Sequence, residues 1–262
     1  MQRKIKLISG WSNPGGSTVH HINLTNLLNS NGYDCTFYGP HDWHLGKCKS
    51  GTLTECSLNV YDTVISHFIK INTGNIRNHI LSCHETNLFP LKEMDLAGVN
   101  MIHFVSNFQK KWHSVNHPSV IIPGVIDKIQ WTDPKNETAG VIGSIDSHKQ
   151  PHLSIERALE AGYKKVRLYG QITELPYYSQ YVHPYVEKGI AVYTGHEDDK
   201  TKMYNTVCAV FSSSKRECLP TIQGECLAAG IPFFGLKDNM RDPSDFEFDN
   251  QVILEKWKAI LD

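Results

Sequence analysis

Short apolar runs alternate with amphipathic stretches along most of the chain, the pattern of βα units built around parallel sheets. The first run, Ile5 to Ile8, leads into a loop from Gly10 to Gly16 that carries Pro14-Gly15-Gly16. Ser17 or Thr18 is placed to cap the next helix, whose Val19, Ile22, Leu24, Leu27 and Leu28 fall mostly on one face. Gly32 ends it. Strands are predicted at Cys35 to Tyr38, Thr63 to Ser66, Ile80 to Cys83, Met101 to Val105 and Val120 to Ile122. A helix from Asn107 to Val115 separates the last two.

Pro123-Gly124 breaks the pattern, and the polar stretch Thr132 to Glu137 contains a further proline, so this region reads as a linker. A second series then begins at Ala139 to Ile142. It continues with a helix near Ser154 to Ala161, a strand at Val166 to Tyr169, a helix near Tyr177 to Glu187 and a strand at Ile190 to Tyr193. A short helix at Lys200 to Asn205, a strand at Val207 to Phe211, a helix near Pro220 to Ala229 and a strand at Ile231 to Phe234 follow, and Val252 to Leu261 closes as an amphipathic helix. The shared rhythm of the two halves predicts an α/β protein of two Rossmann-like domains, with parallel sheets facing a central cleft. The expected division is a first domain over 1–122, a linker over 123–138 and a second domain over 139–262, the last helix being free to pack back on the first.

Composition narrows the function. With 262 residues, 40 % apolar and 20 % charged, the chain is long enough for two modest cores and too apolar for a disordered protein. Its net charge of −1 gives no overall attraction to nucleic acid or anionic lipid. The basic clusters at Lys47 and Lys49, at Lys110 and Lys111, and at Lys164, Lys165 and Arg167 are short and read as solvated faces. Seven cysteines without a C-x-x-C pair, and a basic N-terminal segment whose apolar stretch is interrupted by Lys6, predict reduced thiols, no signal peptide and a cytoplasmic location. No apolar run reaches membrane-spanning length. Among the fourteen histidines, His20-His21 and His41-x-x-His44 lack a zinc-like set of partners in sequence, so no metal is expected.

The chemistry concentrates between Ser212 and Gly230. An apolar strand delivers a polar loop, and Pro220 suits the first turn of the next helix. Backbone N–H groups at the start of such a helix, on Leu219, Thr221 and Ile222, favour an anion. Glu217 stands just before that start, and Glu225 lies about one and a half turns inside the helix. A carboxylate beside a phosphate site repels the phosphate, but it can accept hydrogen bonds from sugar hydroxyls. On spacing alone, a helix with a solvated acid near each end reads equally well.

Two glutamates with seven residues between them, followed by Ala228-Ala-Gly230-Ile-Pro232, resemble the signature of glycosyltransferase family 4, retaining enzymes of the GT-B fold. The resemblance implies that Glu217 contacts the donor sugar and that Glu225 holds the ribose hydroxyls, with Cys218, Leu219 and Thr221 lining the donor between them. Val105-Ser106-Asn107 and Ile121-Ile-Pro-Gly124-Val-Ile-Asp127 are similar to the family's segments in the same order. So is Val141-Ile-Gly143-Ser-Ile-Asp-Ser-His-Lys149, whose lysine, six residues after Gly143, matches the one that reaches the donor diphosphate. Ser144 stands where the family has a second cation, an arginine; Lys215 and Arg216 are near in sequence to Glu217. Gly15 and Gly16 match a glycine loop, and Ser82-Cys83-His84-Glu85 resembles a strand end whose histidine lies near the reacting sugar. By itself a histidine at a strand end is as readily structural.

The resemblance implies a metal-independent transfer, without cofactor, from a nucleotide sugar to an acceptor hydroxyl. A UDP-sugar is the expected donor, and a glycan or small soluble molecule the expected acceptor. Catalytic roles fall to Glu217, His84 and Lys149, and donor contacts to Glu225, Gly15, Gly16, Gly143, Cys218, Leu219 and Thr221. Three alternatives stay open at this level. One is transfer to hydroxymethylated bases of phage-type DNA, for which Lys47, Lys49, Lys110, Lys111, Trp112 and His113 would have to form a basic groove. The others are a nucleotide-sugar 2-epimerase and a non-catalytic nucleotide-sugar-binding protein.

Overall fold

An inner strand of a parallel sheet covered on both faces is buried along its whole length rather than at alternate positions. Strand β1 (Lys4–Ser9) follows that rule, with every residue from Ile5 to Ser9 buried. The computed structural model describes residues 4–67, 69, 76–86 and 91–262, so the first three residues of the basic N-terminal segment lie outside it. The chain divides into two compact units, Met1–Ile126 with Ser244–Asp262, and Asp127–Pro243.

In the first unit β1 is followed by α1 (Gly16–Ser30), β2 (Asp34–Gly39), β3 (Ser50–Thr52), β4 (Thr63–His67), β5 (Asn78–Cys83), β6 (Met101–Phe104), α2 (Asn107–His113) and β7 (Ser119–Ile121). The strands form one sheet in the order β3-β2-β1-β4-β5-β6-β7. All six pairings are parallel. Strand order reverses at β1, between β2 and β4, and the crevice at the carboxyl ends of strands at such a switch point is where open α/β sheets bind ligands. The predicted helix at Asn107 stops at His113, because Ser114 takes a left-handed conformation (φ 47°) and returns its N–H to the Lys110 carbonyl at 3.0 Å. Helix α1 begins at Gly16 with no side-chain cap, so neither Ser17 nor Thr18 caps it; Thr18 is buried within its first turn.

In the second unit come β8 (Thr138–Ile142), α3 (Pro151–Glu160), β9 (Lys165–Tyr169), α4 (Leu175–Tyr177), α5 (His183–Glu187), β10 (Ala191–Gly195), α6 (Lys200–Tyr204), β11 (Ala209–Phe211), α7 (Thr221–Ala229) and β12 (Phe233–Phe234). Its sheet, again parallel throughout, runs β10-β9-β8-β11-β12. The single helix predicted over Tyr177 to Glu187 is interrupted by a π turn at Tyr178–Val182. Pro184 explains the break: it lacks an N–H, and its ring collides with the carbonyl four residues earlier in a regular α-helix. Helix α7 starts at Thr221, with Pro220 just outside it in an extended conformation rather than in its first turn. The helix ends at Gly230 (φ 74°), and Ile231 N–H reaches back to the Cys226 carbonyl at 2.9 Å.

The last helix, α8 (Asn250–Leu261), belongs to the first unit. Asp249 caps it by accepting the Gln251 N–H at 2.8 Å. Its Ile253, Leu254, Trp257 and Leu261 are buried with Ile5, Leu7, Leu28, Phe37 and Ile80 in one core. Among the described residues no helix is long and apolar enough to cross a membrane.

Candidate functional site

In the second unit β8 and β11 are neighbours at the switch point, and the loops leaving their carboxyl ends carry Gly143 to Gln150 and Ser212 to Pro220. The first loop is admitted by two glycines. Gly143 (φ 136°) donates its N–H to the Tyr169 carbonyl at 2.8 Å. A Cβ added to Gly170 (φ 142°) would stand 1.9 Å from the Gly143 carbonyl oxygen. Gly170→Ala is therefore expected to cost about 2 kcal/mol or more, through a backbone clash in a conformation that disfavours any side chain. Thermal melting checks it: an unchanged midpoint would contradict the close approach.

Asp146 folds this loop. Its Oδ1 accepts the N–H groups of His148 (3.0 Å) and Lys149 (2.8 Å), and its Oδ2 accepts the hydroxyls of Ser144 (2.6 Å) and Thr173 (3.0 Å). Burial alone would raise its pKa, but these hydrogen bonds prevail and lower it. Ser144 thus serves the loop, in the position where an arginine was expected. Lys215 N–H donates to the His148 carbonyl at 2.9 Å, and His148 Nε2–H to the Arg216 carbonyl at 3.1 Å, which ties the two loops together.

Across that seam Lys149 Nζ meets Glu217 Oε1 at 2.5 Å. Burial disfavours both charges, yet their mutual attraction and hydrogen bond dominate, so the Lys149 pKa is raised and that of Glu217 is lowered. The Lys149 side chain is 32 % exposed, so the pair faces solvent and a ligand can reach it. The Glu217 loop is held from behind by Arg241, which is 7 % exposed. Its guanidinium donates to the backbone carbonyls of Glu217, Cys218 (3.0 Å), Asp238 (3.2 Å) and Met240 (3.0 Å). Gln223 brackets the Arg241 backbone with bonds of 2.7 and 2.9 Å. Cys218 and Leu219 are buried at the turn into α7, and Thr221 opens the helix. Sequence reading passed over Asp146 and Arg241, since nothing local marks an arginine that serves a loop 24 residues away.

Glu225 is 2 % exposed and belongs to a different network. Its Oε1 receives Lys200 Nζ at 2.5 Å and its Oε2 the Tyr204 hydroxyl at 2.6 Å. Lys200 also reaches Asp127 Oδ2 at 2.5 Å. Burial opposes the Lys200 charge, but Glu225 and Asp127 overcome it and raise its pKa. Burial and the Glu225 charge push the Tyr204 hydroxyl well above its ordinary value. The structure joins Lys149 to Glu217, and it gives Glu225 a cation of its own that sequence reading did not single out.

In the first unit His84 follows the end of β5 and sits among other imidazoles. Ring centroids of His21, His67, His20 and His103 lie 4.8, 5.2, 5.5 and 5.8 Å from its own. Ser82 Oγ bridges His84 Nε2 (3.0 Å) and His103 Nδ1 (2.9 Å), while His103 Nε2–H donates to the Ile122 carbonyl at 2.8 Å. His67 Nε2 lies 3.1 Å from Glu85 Oε2. Among the described residues, neither nitrogen of buried His21 has a hydrogen-bond partner. Burial first, and neighbouring imidazoles second, hold the pKa values of His21 and His84 well below the ordinary one, and burial lowers His103 to about 4. Gly15 precedes α1 and Gly16 opens it; among the described residues a Cβ on Gly15 would meet only Asn13 O, at 3.9 Å. Among the described residues no group of three or more His, Cys, Asp and Glu side chains is arranged to hold a metal ion. His113 is buried against the Glu85 carbonyl (2.7 Å), so it is no part of an exposed basic surface with Lys110, Lys111 and Trp112.

No protein-family model and no curated protein matches the chain in sequence. Solved structures do match in fold. The crystal structure of Anabaena Alr3699/HepE in complex with UDP and glucose superposes with a TM-score of 0.68 at 12 % identity, over 90 % of this chain and 81 % of that one. WaaG, a glycosyltransferase involved in lipopolysaccharide biosynthesis, gives 0.65 at 10 %, over 98 % and 90 %. AviGT4, a glycosyltransferase involved in avilamycin A biosynthesis, gives 0.61 at 17 %, over 90 % and 79 %. These likenesses show the expected α/β architecture, with Rossmann-like units and parallel sheets of seven and five strands, to be the GT-B fold.

Proposed function

We propose that this chain is a glycosyltransferase that moves a sugar from a nucleoside-diphosphate sugar, a UDP-sugar, to the hydroxyl of a glycan or small soluble acceptor. The observation that carries this reading is the Lys149–Glu217 pair, presented by loops from two neighbouring strands at the switch point of the second unit. An isolated surface ion pair would need no such construction. The likeness to Alr3699/HepE, solved with UDP and glucose, and to WaaG and AviGT4, both glycosyltransferases, supports it.

In this reading the anomeric carbon–oxygen bond to the diphosphate breaks while the acceptor oxygen bonds to that carbon, and the leaving phosphate takes the acceptor's proton. Lys149 and the N–H groups at Leu219, Thr221 and Ile222 offset the departing negative charge, which is the largest electrostatic demand of the reaction. The chemistry proceeds without a metal or other cofactor. Glu217 receives hydroxyls of the donor sugar, and Gly143 lets the backbone close on the diphosphate. Glu225, oriented by Lys200 and Tyr204, takes the ribose hydroxyls. Attack on the face that the diphosphate leaves retains configuration; a covalent route would need a carboxylate beneath the anomeric carbon, and none is assigned. Gly15 and Gly16 are assigned donor contacts and His84 a place near the reacting sugar, and seven free cysteines fit a reducing, cytoplasmic setting. A DNA acceptor is less well supported, because His113 is buried, Lys49 is paired with Asp34 and Lys47 lies over Trp43.

Nucleotide binding tests the reading directly. UDP at about 100 times its Kd should raise stability by about 2.7 kcal/mol. UDP-glucose incubated with the protein alone should slowly release UDP and glucose. A melting temperature that no nucleoside diphosphate moves would remove the donor site, and an epimerised sugar in place of free glucose would indicate the epimerase instead.

A further inference from the structure

Trp11 is 46 % exposed, although an indole ring ordinarily contributes a large area to a core. Its backbone is pinned on both sides. Ser9 Oγ accepts the Trp11 N–H at 3.0 Å and donates to the Trp11 carbonyl at 2.5 Å, while the same oxygen meets His67 Nδ1 at 2.8 Å. The next residue is clasped as firmly: Ser12 Oγ donates to the His41 carbonyl at 3.0 Å and accepts the His41 N–H at 2.8 Å. Gly39 makes that clasp possible, since a Cβ there would lie 2.4 Å from Ser12 Cβ. The His41 ring then meets the indole at 79°, with centroids 5.9 Å apart.

A large apolar ring thus stands in the open on a pinned backbone, at the carboxyl end of β1 and beside the end of β4, where the sheet order reverses. Flexible surface aromatics are common and carry no message, but one whose backbone is held by two hydrogen bonds, with the next residue clasped by two more, at a switch point is built to meet something. The loop also indicates what. From Gly10 to Thr18 it contains no charged side chain, only the indole, small polar groups, glycines and a proline. Such a lining offers no side-chain cation to pair with polyphosphate or nucleic acid. It suits a neutral ring with a flat C–H face and a rim of hydroxyls: the C–H face lies on the indole, and the hydroxyls find donors and acceptors in the Asn13 side chain and the His41 ring.

We infer that Trp11, flanked by His41, is a stacking platform for a neutral pyranose of the acceptor. The word acceptor rests on the glycosyltransferase reading; the carbohydrate platform rests on the loop alone. Labelling with 5-fluorotryptophan gives one 19F resonance for each of the five tryptophans, assigned by single Trp→Phe variants. Maltose, cellobiose, lactose and N,N′-diacetylchitobiose are the probes. At least one should shift the Trp11 resonance in a saturable way and leave that of Trp112, which is 43 % exposed, in place. Trp11→Ala should weaken that saccharide about tenfold in Kd, about 1.4 kcal/mol, while Trp11→Phe keeps most of the affinity; circular dichroism confirms that both variants fold. Equal movement of Trp11 and Trp112, no saturable response to any of the four sugars, or an unaltered Kd in Trp11→Ala overturns the platform. UDP added to the unsubstituted protein reports on the donor reading separately. A UDP response without a saccharide response removes the platform and leaves the donor site standing. A saccharide response without a UDP response supports the platform and removes the donor reading.

Discussion

Glu217→Ala is expected to lower the rate of sugar transfer by about 10²–10³-fold while the protein still folds. The fold should survive because the loop does not depend on the carboxylate: Arg241 grips the Glu217 and Cys218 carbonyls, and Asp146 shapes the opposite loop. The stranded Lys149 ammonium is part-exposed and can be partly rehydrated, so the lost pair should cost more than a surface ion pair and less than a fully buried one, about 1–3 kcal/mol. The rate should fall because the carboxylate plays two parts. In the proposed reaction it receives the sugar hydroxyls, and it holds Lys149 where the leaving diphosphate would need a cation. Glu217→Gln keeps the first part and weakens the second, so its kcat should lie between those of Glu217→Ala and the parent. Steady-state kinetics with saturating UDP-sugar, alongside thermal melts, separate the parts. Full activity in Glu217→Ala would falsify the assignment, whereas an unfolded variant would show the pair to be structural.

Acid should destabilise the first unit over an unusual window. A histidine whose pKa is depressed by folding binds its proton more readily when unfolded, so its contribution is fully present above the unfolded value of 6.5. That contribution fades as pH falls and is gone below the folded value, which for His103 is about 4. The gap amounts to about 3 kcal/mol from His103 alone. His21 and His84 act in the same direction, since both are depressed by burial and by neighbouring imidazoles. The depressed carboxylates of the first unit, Asp34, Glu55 and Glu255, lose their contribution beneath ordinary values of 3.8 and 4.5, and so leave the window from 6.5 to 4.5 to the imidazoles. Trp257, whose ring centroid is 4.7 Å from that of His103, offers a fluorescence probe inside the unit. Urea melts between pH 7.5 and 4.5 should show stability declining steadily, with a shallower decline in His103→Gln. A flat profile across that range would show that the cluster is not held neutral by the fold.

The strands were legible because inner parallel strands are continuous apolar runs: Ile5 to Ile8 and Val207 to Phe211 declare themselves without knowledge of their neighbours. Strand β3 did not, since Ser-Gly-Thr at its core has no apolar pattern and is defined only by pairing with Phe37, Tyr38 and Gly39. The π turn before Pro184 was hidden because Tyr177, Tyr178, Val182 and Val186 keep a helical rhythm across it. In the candidate site, Lys149 and Glu217 could be named from spacing and resemblance, but their meeting at 2.5 Å depends on β8 lying beside β11, which no local pattern encodes. The partners Arg241, Lys200 and Asp127 were invisible for the same reason. Each acts across 24 to 73 residues, and a buried cation reads in sequence like any solvated one.

The two units differ in how they can be made. The second is one uninterrupted stretch, Asp127–Pro243, whereas the first recruits α8 from beyond it. On a ribosome the second unit therefore has its whole sequence in hand while the first still lacks Ile253, Leu254 and Trp257, and carries an open apolar face where they will dock. The unit translated first is completed last, and its half-built core must wait through the synthesis of its neighbour.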